Sequence, residues 1–233
     1  MVLAVLTSDC SPVERISECT TIIGSSNLSG AALAGVHELR ANAYDELGEL
    51  GMALRDYNLA IEISPRLPTL FFNRGLYFAR RGNFEAAKRD YTVALTIEPA
   101  FVPALLNRAI ILHRSGDLAQ ALQDISFAID LNPSIAELHR VRGLIYLRLG
   151  KSQFTVVSET EAIRLDPGLA KAYLLRAVGY LKLGDSKSAL DDLNSALKLD
   201  PSLIRFVRIN WSNGSGGSGS SDRFSPSLSG EPR

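Results

Sequence analysis

Five prolines recur at a fixed interval: Pro65, Pro99, Pro133, Pro167 and Pro201 stand 34 residues apart. A self-similar period of this length marks stacked supersecondary units, each contacting chiefly its neighbours. Taking the proline as position 32 divides the chain into units 34–67, 68–101, 102–135, 136–169 and 170–203, with no insertion. Other columns then align. Position 15 is Gly48, Gly82, Gly116, Gly150 and Gly184, and position 27 is Ala60, Ala94, Ala128, Ala162 and Ala196. Position 8 is always small (Ala41, Gly75, Ala109, Gly143, Ala177), and position 11 is large and apolar (Tyr44, Phe78, Leu112, Tyr146, Tyr180).

Each column has a physical reason, and together they predict an all-α chain of helix hairpins. Glycine at position 15 takes the left-handed conformation that ends a first helix and turns the chain back. Proline at position 32 ends the second helix and biases the residue before it towards extended backbone. Small residues at positions 8, 20 and 27 stand where two helices must approach closely. Apolar residues at positions 24, 28 and 30, such as Tyr91, Leu95 and Ile97, give the second helix its buried stripe. A lone hairpin cannot bury that stripe, whereas a stack of five does.

Composition excludes several classes. The 25 basic and 25 acidic residues cancel, so no bulk attraction for nucleic acid or anionic membrane is expected. No stretch approaches the ~18 apolar residues that suggest a bilayer span. The only two cysteines, Cys10 and Cys19, precede the repeats, so the folded body is neither a disulfide scaffold nor a cysteine-ligated metal domain. Met1 to Leu6 is apolar but too short for a signal-peptide core and lacks a basic flank. As written, that reads as cytoplasmic, with a periplasmic or exported location left open if the start is truncated.

The 34-residue period and its small–aromatic–Ala–Ala–Pro columns resemble the tetratricopeptide repeat (TPR), over residues 34–203. The run from Asp9 to Ala43 is similar to the entry region of TPR proteins common in alphaproteobacteria, many of them exported. In an exported chain Cys10 and Cys19 could pair; in a cytosolic one they would be free. The resemblance implies a right-handed α-solenoid of antiparallel hairpins, the TPR superhelix, with no cofactor or metal and a protein or peptide as partner. Nucleic acid and membrane are not expected partners, and homo-oligomerisation stays open.

Within the repeats, position 7 is arginine in every unit (Arg40, Arg74, Arg108, Arg142, Arg176). Position 23 is aspartate in four (Asp56, Asp90, Asp124, Asp192), with Ser158 in the remaining one. The pattern predicts an ion pair tying each hairpin together, against the alternative of an arginine ladder that grips ligand carboxylates. The fourth repeat departs from the others, with Thr155 at position 20, Ser158 at 23 and Glu159 at core-facing position 24. A buried glutamate is costly unless paired. Arg142, lacking its aspartate, is the expected partner; a weak point or second contact surface is the alternative.

The segment 1–33 is read as an N-terminal region whose helix, Pro12 to Ile23, caps the first hairpin, followed by a loop at Asn27–Ser29. Residues 204–211 are read as a C-terminal capping helix, on the apolar spacing of Leu203, Val207 and Trp211. Residues 212–233 form a Gly/Ser-rich tail expected to be disordered.

In the family, first helices line the concave face through positions 2, 5, 9, 12 and 13. The corresponding residues start polar and acidic, with Glu38, Asn42, Asp45 and Glu46. They become apolar with Phe72, Leu76, Leu106, Ile110, Leu144, Leu174, Val178 and Leu181, interleaved with Arg80, Arg114, Arg140, Arg148, Lys171 and Lys182. Such a strip marks an interaction site, here for an extended or helical segment with apolar anchors and some acidic residues. The alternative is that some of these residues pack between hairpins. The family's chaperone-type carboxylate clamp is not expected. Asn42 and Asn73 match its asparagines, but Glu38, Pro103 and Asn107 replace its three cations.

No enzyme is expected. His37, His113 and His139 are scattered over three repeats, and no nucleophile–base pair or phosphate-binding glycine loop appears. The leading reading is a non-enzymatic adaptor or scaffold. A self-associating subunit using Trp211, Phe206 and Ile204, and an envelope chaperone preceded by an export signal, remain the alternatives.

Overall fold

The computed structural model describes residues 10–25 and 28–204; the expected tail, most of the C-terminal capping segment with Phe206 and Trp211, and Asn27 lie outside them. Among the described residues there are eleven α-helices and no strand. They are α1 (Pro12–Ser25), α2 (Gly30–Glu46), α3 (Leu50–Ile63), α4 (Pro68–Arg80), α5 (Phe84–Ile97) and α6 (Val102–Ser115). Then follow α7 (Leu118–Leu131), α8 (Ala136–Arg148), α9 (Ser152–Leu165), α10 (Ala170–Lys182) and α11 (Ser186–Leu199). A short 3₁₀ turn, Pro201–Leu203, follows α11. The chain divides into two compact units, residues 1–112 and 113–233, with the division inside α6.

The punctuation behaves as the columns require. All five position-15 glycines have positive φ, from 72° to 95°. The N–H one residue later bonds back to the position-11 carbonyl: Glu49 to Tyr44, Asn83 to Phe78, Lys151 to Tyr146 and Asp185 to Tyr180, at 2.9–3.0 Å. This is a Schellman closure, which satisfies carbonyls left over at the helix end. Each second helix ends with the position-31 N–H on the position-27 carbonyl, and Glu98, before Pro99, is extended. Asn83 and Asp185 cap the following helices by accepting from Ala86 and Ser188 backbone N–H groups.

In unit 1, α2 packs on α3 and α4 on α5, while α1 lies against α2 and buries Cys19. Cys10 and Cys19 are free thiols, and burial pushes the Cys19 pKa up. Tyr57 and Tyr77 fill the space among Ala41 and Ala53, with ring centroids 5.6 Å apart. In unit 2, α8 packs on α9 and α10 on α11, and α9 also meets α10. The position-27 alanines are fully buried at these contacts.

Position 8 explains how large side chains at position 24 fit. A Cβ on Gly75 would stand 2.6 Å from a Tyr91 ring carbon. Gly75→Ala is therefore expected to destabilise the protein by about 1–2 kcal/mol despite alanine's better helix propensity, because the buried ring must move. Chemical denaturation of the variant checks this; an equal or higher midpoint would show that the ring yields freely.

Candidate functional site

The arginine column is committed to the scaffold. Arg40 donates to both Asp56 oxygens at 2.7 and 2.8 Å, Arg74 to both Asp90 oxygens at 2.8 Å, and Arg176 to both Asp192 oxygens at 2.7 Å. These are bidentate, charge-assisted contacts to buried aspartates. The remaining guanidinium nitrogen crosses to the preceding second helix: Arg74 to Asn58, Arg108 to Thr92 and Arg176 to Thr160. Arg40 makes the same bond to Thr20 of α1, which thus stands in for a preceding second helix. Each of these arginines closes its own hairpin or fastens it to the one before. The column at position 25 is small and polar throughout (Asn58, Thr92, Ser126, Thr160, Asn194), a signal the sequence reading passed over. The contact of His37, whose Nδ1 lies 3.0 Å from Asp56 Oδ1, was not legible in the sequence.

The expected Arg142–Glu159 pair does not form. Arg142 donates to Ser158 Oγ at 3.3 Å and its Nη2 approaches His139 Nδ1 at 3.4 Å. Position 7 reaches position 23, whereas the position-24 side chain points at the backbone of α8, into the gap left by Gly143. A Cβ there would overlap the Glu159 carboxyl. Glu159 is fully buried, and neither carboxyl oxygen has a hydrogen-bond partner. Burial drives its pKa well above the usual range; Arg140 and Arg176 oppose that shift and Glu137 adds to it. Thr155, also fully buried, is satisfied by the Gly143 and Lys151 carbonyls at 3.3 and 3.4 Å.

Along the first helices of unit 1, the polar residues are internally satisfied. Asn73 donates to Glu38, whose pKa burial raises, and Tyr57 Oη donates to Asn42 Oδ1 at 2.5 Å. Arg80 pairs with Asp45 at 3.0 Å, and Arg81 pairs with the same carboxylate. Phe72 is half-buried and packs edge-on to Phe101 at 5.4 Å and tilted against Tyr91 at 5.8 Å. Leu76, Leu106 and Ile110 remain half-buried.

In unit 2, Arg114, Arg148 and Lys171 are exposed, and Leu144 and Leu181 are half-buried. Arg140 is held bidentate by Glu137 on its own helix. Leu174 and Val178, which register assigns to the first-helix strip, are nearly covered in unit 2. Leu174 is 3% exposed and packs against Leu193 and Ala196 of α11. Val178 is 8% exposed and packs against Leu147 of α8 and Leu175. In the last repeat these two side chains serve the hairpin contacts.

His113 sits at the end of α6, half-buried, facing Arg148, Arg114 and Arg140. Burial first, then these cations, lower its pKa to about 4. A proton titration followed by NMR is expected to find His113 changing charge near pH 4; a midpoint near 6.5 would remove the proposed surroundings. The unfolded chain takes up this proton near 6.5 and the folded chain does not. Stability from this group is therefore present above 6.5 and lost as pH falls towards 4. Among the described residues no group of three or more His, Cys, Asp or Glu side chains is arranged to hold a metal, and no helix is long and apolar enough to cross a membrane.

Two family models of the tetratricopeptide repeat match the chain, one over residues 34–67 and 170–203, the other over 72–126 and 106–153. A comparison with curated proteins finds no match. Among solved structures, the chain is similar to MamA (41-end) from Desulfovibrio magneticus RS-1, with TM-score 0.66 and 18% identity, covering 72% of this chain and 96% of that one. It is similar to YrrB, described as a TPR protein with an unusual peptide-binding site, with TM-score 0.63, 21% identity and coverage of 76% and 91%. TTC0263, a thermophilic TPR protein of Thermus thermophilus, aligns with TM-score 0.59 and 22% identity over 77% of this chain and 97% of that one. At these identities the likeness establishes the fold.

Proposed function

Because the chain belongs to the tetratricopeptide-repeat family, we propose that it is a non-enzymatic adaptor that binds a segment of another protein along the first helices of its hairpins. The observation that carries this is the partial exposure of Leu76, Leu106 and Ile110 on α4 and α6. Apolar side chains left half-open in a row favour an apolar partner. Family membership supports protein binding in general, and the peptide-binding site ascribed to YrrB is consistent with a peptide ligand.

The working surface has two parts. In unit 1 it comprises Phe72, Leu76, Leu106 and Ile110, edged by Glu38, Asn42, Asn73 and Arg80. In unit 2 it comprises Leu144 and Leu181, edged by Arg114, Arg140, Arg148 and Lys171. Selection from a peptide library against the full chain, run beside a Leu106→Glu, Ile110→Glu variant shown to remain helical, tests the reading. Peptides enriched on the parent and lost on the variant support it; identical enrichment on both proteins moves the site elsewhere.

A further inference from the structure

Two comparable junctions join the end of one first helix to the end of the next-repeat first helix, one in each unit. In unit 1, Asp45 at position 12 accepts from Arg80 at position 13 of the following repeat, at 3.0 Å, and Arg81 bonds the same carboxylate. Charge is matched within the chain. In unit 2 the same two positions hold His113 and Arg148. Histidine has replaced the acid.

The consequence for Arg148 is specific. Its Nη1 donates to the His113 carbonyl and, at 3.5 Å, to the Arg114 carbonyl, capping the end of α6. That uses one nitrogen of three. Among the described residues Nε and Nη2 have no partner, and no carboxylate pairs with this guanidinium. The His113 ring likewise makes no hydrogen bond among the described residues. The other charges are accounted for. Arg140 of α8 is paired with Glu137, Arg114 stands beside His113 on α6, and Asp117, on the turn into α7, accepts from Ser115 Oγ at 3.0 Å. Burial, and after it Arg148, Arg114 and Arg140, lower the pKa of His113.

We propose that this junction of α6 and α8 is a carboxylate-binding site, in which Arg148 takes from an acidic side chain of the bound segment the contact that Asp45 supplies internally in unit 1. A guanidinium with two open, adjacent donors fits a carboxylate bidentately, a geometry an ammonium cannot reproduce. Capping α6 holds the fork in place, so little side-chain freedom remains to be lost on binding. His113, whose backbone carbonyl holds Arg148, lies beside the fork. The site rests on the first-helix reading of the partner surface and assigns one of its specificities.

The test uses the full chain with a capped peptide of leucine, alanine and glutamate, and a twin in which lysine replaces every glutamate. The glutamate peptide is expected to bind, to shift the His113 ring signals while leaving those of His37 and His139, and to lose roughly tenfold in affinity on Arg148→Met. Arg148→Lys should recover only part of that loss, and the lysine twin should not bind. Equal affinity of parent and Arg148→Met overturns the site, as does failure of the glutamate peptide to bind at all. Loss on Leu106→Glu, Ile110→Glu but not on Arg148→Met would keep the apolar surface and discard the carboxylate site; loss on neither would discard both.

Discussion

Replacing Glu159 with leucine is expected to stabilise the protein by about 2–4 kcal/mol at neutral pH, combining relief of an unsatisfied buried group with added apolar burial. Glutamate is the outlier at position 24, where the other repeats carry Tyr57, Tyr91, Ile125 and Leu193. Its carboxyl is fully buried without a hydrogen-bond partner, and the nearby cations are occupied: Arg140 by Glu137 and Arg176 by Asp192. Burial raises the folded-state pKa, so the folded chain keeps a proton that the unfolded chain releases near 4.5. Stability from this group is therefore complete below about 4.5 and declines as pH rises, until the folded carboxyl itself ionises. The advantage of the leucine variant should accordingly widen between pH 5 and pH 8. Denaturation midpoints measured across that range check both points. A variant less stable than the parent at neutral pH would mean that the carboxyl has a partner in solution.

The opposite case is Asp56, where removal is expected to cost about 3 kcal/mol. It is 2% exposed and accepts from Arg40 Nε and Nη2 at 2.7 and 2.8 Å, with His37 Nδ1 at 3.0 Å. Asp56→Ala would leave a largely buried guanidinium and an imidazole facing a void, the arrangement for which breaking a buried pair is most destabilising. Partial exposure of Arg40 places the expectation at the lower end of the usual ~3–5 kcal/mol range. Urea denaturation of the variant measures it. If Asp56→Ala kept its stability while Arg40→Ala abolished peptide binding, the arginine column would belong to the ligand instead of the scaffold.

The hairpins were readable because their punctuation is chemical. Glycine at position 15 and proline at position 32 impose backbone conformations, and these do not depend on neighbours far along the chain. The Arg–Asp pairs at 40/56, 74/90 and 176/192 were readable because residue types recur in register. Glu159 was misread for a geometric reason: positions 23 and 24 are adjacent in sequence but diverge by about 100° around the helix. Only position 23 meets the arginine. Leu174 and Val178 look like surface residues by register, yet α11 and α8 cover them; apolar type alone does not distinguish a hairpin contact from an open strip. The carboxylate site needed both kinds of information, since His113 and Arg148 gain meaning only when set beside Asp45 and Arg80 at the same junction.

In the proposed complex a protein segment lies on the first helices and not on the outer faces of the second. Affinity of a selected peptide for the parent, for Leu76→Glu on α4 and for Val93→Glu on the exposed face of α5 tests it most directly. Leu76→Glu is expected to lose at least roughly tenfold, the equivalent of about 1.4 kcal/mol, and Val93→Glu to change nothing. Loss for Val93→Glu with Leu76→Glu unaffected would contradict it.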